Sequence, residues 1–259
     1  MTIEKKKRTV AIIQARMGSS RLPGKVMQEI DGRPMLEWVI TRAGRAKLVD
    51  EVAVATTTDA SDDPIETYCK AHHVLVYRGD AFDVLDRYYQ AARVFQADVI
   101  VRLTADCPLL DPYVVDQTVR RFFTEGADFA ANRLPPPFKR TFPIGLDTEV
   151  CSFAALERAW KEADQKYQRE HVMPYLYDTK GRFKVVVVNN PEDFGDQRWT
   201  VDTPEDLEFV RQVAAGFGHF DDFNWMDVLA LLDRNPALLE INAQIKHKTM
   251  KDVDERNEN

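Results

Sequence analysis

The sequence predicts an α/β fold, a mostly parallel twisted sheet with helices on both faces. Three observations predict it. Short apolar runs alternate with segments of helical spacing through the first half of the chain. Clusters of glycine, serine and proline punctuate the junctions. The balance of 44% hydrophobic and 30% charged residues over 259 positions is that of a globular chain long enough to bury one large core.

Thr9–Gln14 (TVAIIQ) reads as a buried strand, followed by a Gly/Ser/Pro segment at Gly18–Gly24. Pro34–Arg45 has helical spacing, with Met35, Leu36, Val39 and Ile40 on one face and Pro34 in the first turn. Glu51–Ala55, Val74–Tyr77, Asp98–Leu103 and Asp128–Ala131 read as strands, and Asp62–His72, Asp83–Phe95 and Pro112–Phe123 as the helices between them. In the less regular second half, Leu146–Cys151 and Phe183–Val188 read as strands. Ser152–Ala163 reads as a helix capped by Ser152, and Thr203–Ala215 as one capped by Thr203 with Pro204 next. Asp222–Leu232 is a further helix. The proline run Pro135–Pro137 interrupts regular structure and reads as a loop between two lobes of one domain spanning residues 1–245; the charged segment 246–259 reads as a frayed tail.

Lys and Arg number 35 against 42 Asp and Glu, a net charge of −7, which argues against a general nucleic-acid or anionic-membrane surface. The charge is uneven: residues 1–25 carry seven cations and the single acid Glu4, a net of +6, leaving −13 for the rest. Lys5, Lys6, Lys7 and Arg8 precede the first strand and need only solvation. Cys69, Cys107 and Cys151 are far apart, form no CxxC and leave no zinc-ligand spacing, so a reducing cytoplasm is expected. No run approaches the length of a membrane span.

In an open α/β sheet ligands sit beyond the carboxyl ends of the strands, which points first to the loop after Gln14. Residues Gln14 to Lys25 (QARMGSSRLPGK) hold two glycines, two serines, three cations and no acid. Glycine backbone amides approach phosphate oxygens closely, and Arg16, Arg21 and Lys25 would add charge-assisted bonds to a polyphosphate. Five residues separate Gly18 from Gly24, and Val26 follows Lys25, so this is not a Walker A loop; a solvated basic turn is the plain alternative. Asp106, at the carboxyl end of a central strand and before Pro108, is a candidate ligand for a divalent cation that would bridge phosphates, or else a turn cap. In the segment from Arg198 to Leu207, a capping box accounts for Thr203, Pro204 and Asp206 and leaves Asp202 over at the end of a short strand. Asp147 and Glu149 fall on one face of a strand by its two-residue period, where they could pair with Arg140 or Arg169, and Gly145 permits close approach to backbone. Arg198 and Trp199 receive no role.

The segments IIQARMGSSRLPGK, VLDRYYQAA, RLTADCPL, GLDTEV and RWTVDTPEDL, in that order over residues 9–215, resemble the CMP-sugar synthetases, the acylneuraminate and KDO cytidylyltransferases. The likeness is closest to the branch named after spore coat polysaccharide biosynthesis protein F. The resemblance implies a Rossmann-like, GT-A-like nucleotidyltransferase domain with an acceptor-binding and dimerisation lobe at about 133–190. It also implies a Mg²⁺-dependent transfer of CMP from CTP to an acidic, sialic-acid-like or KDO-like sugar, in a cytoplasmic homodimer that binds neither nucleic acid nor membrane. Ala15, Arg16, Gly18, Ser19, Arg21, Lys25 and Thr104 would bind the nucleotide, with Arg16 and Lys25 catalytic. Asp86 and Arg87 would contact it too, unless they serve a helix start with Asp83 as cap and Arg87 as its i+4 partner. Asp106 and Asp202 would supply the two metal carboxylates. Arg102, Gly145, Asp147, Glu149 and His171 fall near the acceptor. The chain departs from the KDO enzymes at Thr104 and Ala105, where they carry Gln and Gly, and at Arg102, which replaces an uncharged residue. Three other readings stay open: a glycosyltransferase of related fold, which the lack of any D-x-D motif outside Asp252–Asp254 disfavours; a cytidylyltransferase for a phosphonate or other phosphorylated molecule; and a non-catalytic nucleotide-binding module.

Overall fold

The computed structural model describes residues 7–218 and 220–245. Lys5, Lys6 and the segment 246–259 lie outside the described residues. The strands are β1 (Thr9–Gln14), β2 (Glu29–Ile30), β3 (Arg33–Pro34), β4 (Glu51–Thr57), β5 (Leu75–Gly79), β6 (Val99–Thr104), β7 (Phe129–Ala131), β8 (Glu149–Ser152) and β9 (Val185–Val187). The helices are α1 (Met35–Gly44), α2 (Asp63–Ala71), α3 (Val84–Val94), α4 (Pro112–Thr124), α5 (Phe153–Glu162), α6 (Lys166–His171), α7 (Pro174–Tyr177), α8 (Pro204–Gly216), α9 (Trp225–Arg234) and α10 (Ala237–Glu240).

Seven strands form one sheet in the order β5-β4-β1-β6-β8-β7-β9. β1 runs parallel to both β4 and β6, and β4 parallel to β5. β8 is antiparallel to its neighbours β6 and β7. Side chains along β1 and β6 are buried on both faces, which is why these runs are nearly all apolar. One face packs against α3, α5 and the α6–α7 region through Leu85, Tyr88, Leu156 and Leu176. The other packs against α1, α2 and α4 through Leu36, Val39, Ile65 and Val119. A third core lies outside these two, where α8, α9 and α10 bury Phe209, Val213, Val228 and Leu238 against Trp38, Phe142 and Trp199.

Helix starts follow local side-chain chemistry. Asp111 accepts from Tyr113 N and Val114 N at the head of α4, and Ser152 Oγ from Ala155 N at the head of α5. Thr203 and Asp206 form the reciprocal capping box of α8, as the sequence predicts. Asp83 caps α3 by accepting from Asp86 N, but its ion-pair partner is Arg169 rather than Arg87. Asp31-Gly32, both at positive φ, turn β2 into β3, a two-residue hairpin that helical and strand periodicity did not reveal.

Two strand expectations change. The strand expected over 146–151 begins at Glu149, so Asp147 lies before it. The reason is Asn132: its amide donates to Leu146 O and its oxygen accepts from Thr148 N, so a side chain takes up the backbone groups that a ladder would use. Asp202 does not end a strand either. Residues 199–202 form no strand: Arg198 makes an isolated parallel bridge with Ile144, and the segment is held by single bonds such as Trp199 N to Ile144 O at 2.7 Å. Segment 133–190 contributes β8 and β9 to the common sheet and α5–α7 to one of its faces.

Arg42 of α1 is fully buried and donates to the carbonyls of Leu110, Asp221 and Phe223, tying the sheet's helices to the third core. Burial lowers its pKa to about 10, so it stays charged near neutrality. We predict that Arg42→Ala, which strands the buried carbonyls of Leu110 and Phe223 and empties a fully buried site, costs about 3 kcal/mol and lowers the melting temperature by about 10 °C. A calorimetric shift under 2 °C, roughly, would refute this role.

Candidate active site

From β1 the chain steps to one side to reach β4 and to the other to reach β6, so the loops that follow β1 and β6 open a crevice at the carboxyl end of the sheet. The first loop is closed at its base by Gly24 N donating to Met17 O at 2.9 Å. Gly24 has φ +67°, a conformation that glycine adopts without steric cost, and it directs Lys25 back across the crevice. Gly18 has open space where a Cβ would stand, so its backbone is approachable. Ala15 is buried and donates to Ala55 O; Ser19 Oγ accepts from Leu22 N at 3.4 Å.

Opposite this loop two distant segments meet. Val201 N donates to Asp106 O at 2.8 Å and Thr200 Oγ1 to the same oxygen at 3.1 Å. That places two carboxylates on one ammonium: Lys25 Nζ lies 2.9 Å from Asp106 Oδ2, 2.8 Å from Asp202 Oδ1 and 2.8 Å from Val201 O. Burial works against the charge of Lys25, but Asp106 and Asp202 outweigh it and raise its pKa above the ordinary value. Burial likewise works against ionised Asp202, yet Lys25, Arg198 and Arg21 outweigh it and hold its pKa well below the usual range. Arg21 Nη2 approaches Asp202 Oδ2 at 3.2 Å.

Arg198, unassigned in the sequence, is the fixed member of the site. It donates to Asp202 Oδ2 at 2.8 Å and, through Nε and Nη2, to both oxygens of Asp206 at 2.9 and 2.8 Å. Asp206 is fully buried and also accepts from the backbone N–H of Asp202 and Thr203 and from Asn242. The capping box and the ion pair thus share one carboxylate, which a box motif alone did not disclose. Gly145, with φ +111°, is required by this same segment: a Cβ there would lie 2.8 Å from Thr200 N. The close approach predicted for a ligand is made by the chain's own backbone.

The remaining candidates divide by partner. Arg102 and Glu149 face each other across β6 and β8 as a buried ion pair, with Arg102 also near Gln14 Oε1 at 3.3 Å. Asp147 is held in a two-pronged pair by Arg140. These acids therefore serve as ion-pair partners on separate elements and do not share a strand face. Asp86 Oδ1 accepts from Trp160 Nε1 at 2.8 Å and Gln90 Nε2 at 3.0 Å, tying α3 to α5. Arg87 is fully buried; Nη1 donates to Asp80 O, while Nε and Nη2 have no partner, and Arg16 lies within electrostatic reach of it. His171 ends α6, which packs on α3. Thr104 Oγ1 lies 3.3 Å from Cys107 Sγ, and burial followed by the nearby Asp106 pushes that thiol well above its ordinary pKa, so it is no nucleophile.

A cytidylyltransferase family profile matches residues 10–229. The chain belongs to the cytidylyltransferase family. It is therefore a nucleotidyltransferase. A cytidylyltransferase structure from Leptospira borgpetersenii is similar at 34% identity and a TM-score of 0.85, covering 93% of this chain and 100% of that one. The spore coat polysaccharide biosynthesis protein SpsF of Bacillus subtilis is 31% identical over 232 residues, 87% of this chain and 94% of its own. The structure of CMP:2-keto-3-deoxy-manno-octonic acid synthetase complexed with CTP shares the fold, with a TM-score of 0.61 at 21% identity over 80% of this cytidylyltransferase and 98% of that chain.

We predict that Asp206→Asn, which removes the buried anion from the two carboxylates that Arg198 holds, costs about 3 kcal/mol at pH 7. The pKa of Asp206 is below its unfolded value, because Arg198 and its other donors outweigh burial. Its contribution is thus full above about pH 4 and fades as pH falls through the folded value. Urea titrations should show the gap between wild type and variant closing from pH 5 towards pH 2, roughly. A gap independent of pH would sink the assignment.

Proposed function

We propose that this cytidylyltransferase transfers CMP from CTP to an acidic sugar of the sialic-acid or KDO type, with release of pyrophosphate, in the cytoplasmic synthesis of surface polysaccharide. One observation carries the reading: Asp106 and Asp202, from separate segments, converge on Lys25 of a cation-lined glycine loop at the sheet's crevice. The polysaccharide assignment is supported by the likeness to SpsF. The acid-sugar class is supported by the likeness in fold to the octonic acid synthetase.

The donor set fits magnesium. Asp106 Oδ1 accepts from the weak Cys107 thiol donor at 3.6 Å, and both candidate ligands are hard carboxylate oxygens. Among the described residues no group of three His, Cys, Asp or Glu side chains is placed to hold a metal, so phosphate and water would complete the set. Bound there, the ion would neutralise phosphate charge and polarise the α-phosphoryl group. The acceptor hydroxyl oxygen forms a bond to the α-phosphorus while the bond from that phosphorus to the bridging oxygen breaks; pyrophosphate leaves and the hydroxyl proton passes to solvent. Arg16, Arg21 and Lys25 would hold the triphosphate in line and offset its charge, so catalysis is positioning and electrostatic stabilisation. Arg198 would keep Asp202 ionised and aimed while Lys25 and Arg21 turn to phosphate.

In the resting arrangement Lys25 spans Asp106 and Asp202, and Arg21 and Arg198 also hold Asp202, so the carboxylates a metal would need are already occupied by cations. A divalent ion is therefore expected to bind poorly until nucleotide draws Lys25 away. Paramagnetic resonance with Mn²⁺ and no nucleotide should find Lys25→Ala binding at least about threefold more tightly than wild type; equal affinities would refute it.

Incubation with each nucleoside triphosphate, Mg²⁺ and a panel of acidic sugars should release pyrophosphate with CTP alone. Sugar transfer from a nucleotide sugar, with no pyrophosphate, would overturn the reading in favour of a glycosyltransferase. Asp106→Asn and Asp202→Asn are each expected to lower turnover by at least about a hundredfold, with folded spectra.

A further inference from the structure

Asp62 stands at the N-cap position of α2, yet its carboxylate accepts no bond from that helix. Both oxygens turn the other way. Oδ1 accepts from Met17 N at 2.7 Å. Oδ2 accepts from Thr56 Oγ1 at 2.9 Å, Thr57 N at 3.1 Å and Thr57 Oγ1 at 2.6 Å. The residue is 1% exposed, so this is a charge taken out of water and held by four donors rather than by a contacting cation. Such burial is costly and is out of proportion to starting a nine-residue helix that already has Pro64 in its first turn.

The element it holds is the nucleotide loop. Met17 is gripped from both sides: its N–H by Asp62 and its carbonyl by Gly24 N. Gly24 is followed directly by Lys25, whose ammonium spans Asp106 and Asp202. Asp62, Met17, Gly24 and Lys25 therefore form one continuous path from the end of β4 to the reacting site. We propose that Asp62 is a positioning residue, fixing the loop of residues 15–25 in the geometry that receives the triphosphate. The proposal rests on the CTP reading given above only for its choice of ligand.

The test compares wild type, Asp62→Ala and Asp62→Asn by amide hydrogen exchange and by calorimetric titration with CTP and Mg²⁺. For Asp62→Ala we expect exchange to rise about tenfold or more in peptides covering residues 15–25, with α8 and β6 unchanged, and CTP affinity to fall about tenfold. Asp62→Asn keeps one oxygen for Met17 N and should recover part of both. Uniformly faster exchange, or CTP affinity within about twofold of wild type in folded Asp62→Ala, would overturn the proposal. Should Asp62→Ala not fold, Asp62→Asn decides: about threefold weaker CTP with localised exchange supports the role, and wild-type values overturn it. If wild type itself fails to bind CTP, the functional reading falls, while loop exchange still tests the latch.

Discussion

The site depends on one backbone contact, Val201 N to Asp106 O at 2.8 Å. It joins the loop after β6 to the chain that enters α8, and it is possible because Gly145 lets the 198–201 segment pass without a Cβ in the way. Two carboxylates then lie within reach of a single ammonium. Their oxygens are within about 6 Å of each other, where like charges at an effective dielectric near 20 repel by about 3 kcal/mol. Lys25 offsets that repulsion, and its raised pKa and the lowered pKa of Asp202 are two views of the same interaction. The third core, with Trp199 and Val201 inside it, keeps the approaching segment in place.

The charges around the crevice divide into fixed and movable ones. Arg198 is locked to buried Asp206, Arg102 to buried Glu149, and Asp62 to four neutral donors. Each spans two or more elements, so each holds geometry rather than reacting. Lys25 and Arg21 belong to the loop and contact carboxylates that anionic phosphate would compete with. A nucleotidyl transfer needs this combination: cations that follow the phosphates, and a frame that does not yield when they do.

Much of this was legible in the sequence, and for physical reasons. Buried parallel strands such as TVAIIQ and VIVRLT are apolar on both faces, and helix caps at Asp83, Ser152 and Thr203 are local side-chain-to-backbone chemistry. Lys25 stood out as a cation of the glycine loop, Asp106 as a charge at a strand end, and Asp202 as the acid that the capping box leaves over. Partners did not stand out. Nothing local tells Asp206 that Arg198 will share its cap, or Asp62 that it will turn from its own helix to Met17. A two-residue period puts Asp147 and Glu149 on one strand face because it cannot foresee Asn132 occupying the backbone groups before β8.

By itself, then, the sequence determined the central parallel strands, the long helices, the cation-rich glycine loop and the two aspartates, since these follow from periodicity, capping and the cost of a charge with no local role. The tertiary structure decided which charges meet. It set Lys25 between Asp106 and Asp202, gave Arg198 to Asp206, and turned Gly145 towards the chain rather than a ligand. Such pairings join residues far apart along the chain, and their strength depends on burial and on distances of a few ångströms, which exist only once the sheet and the third core have closed.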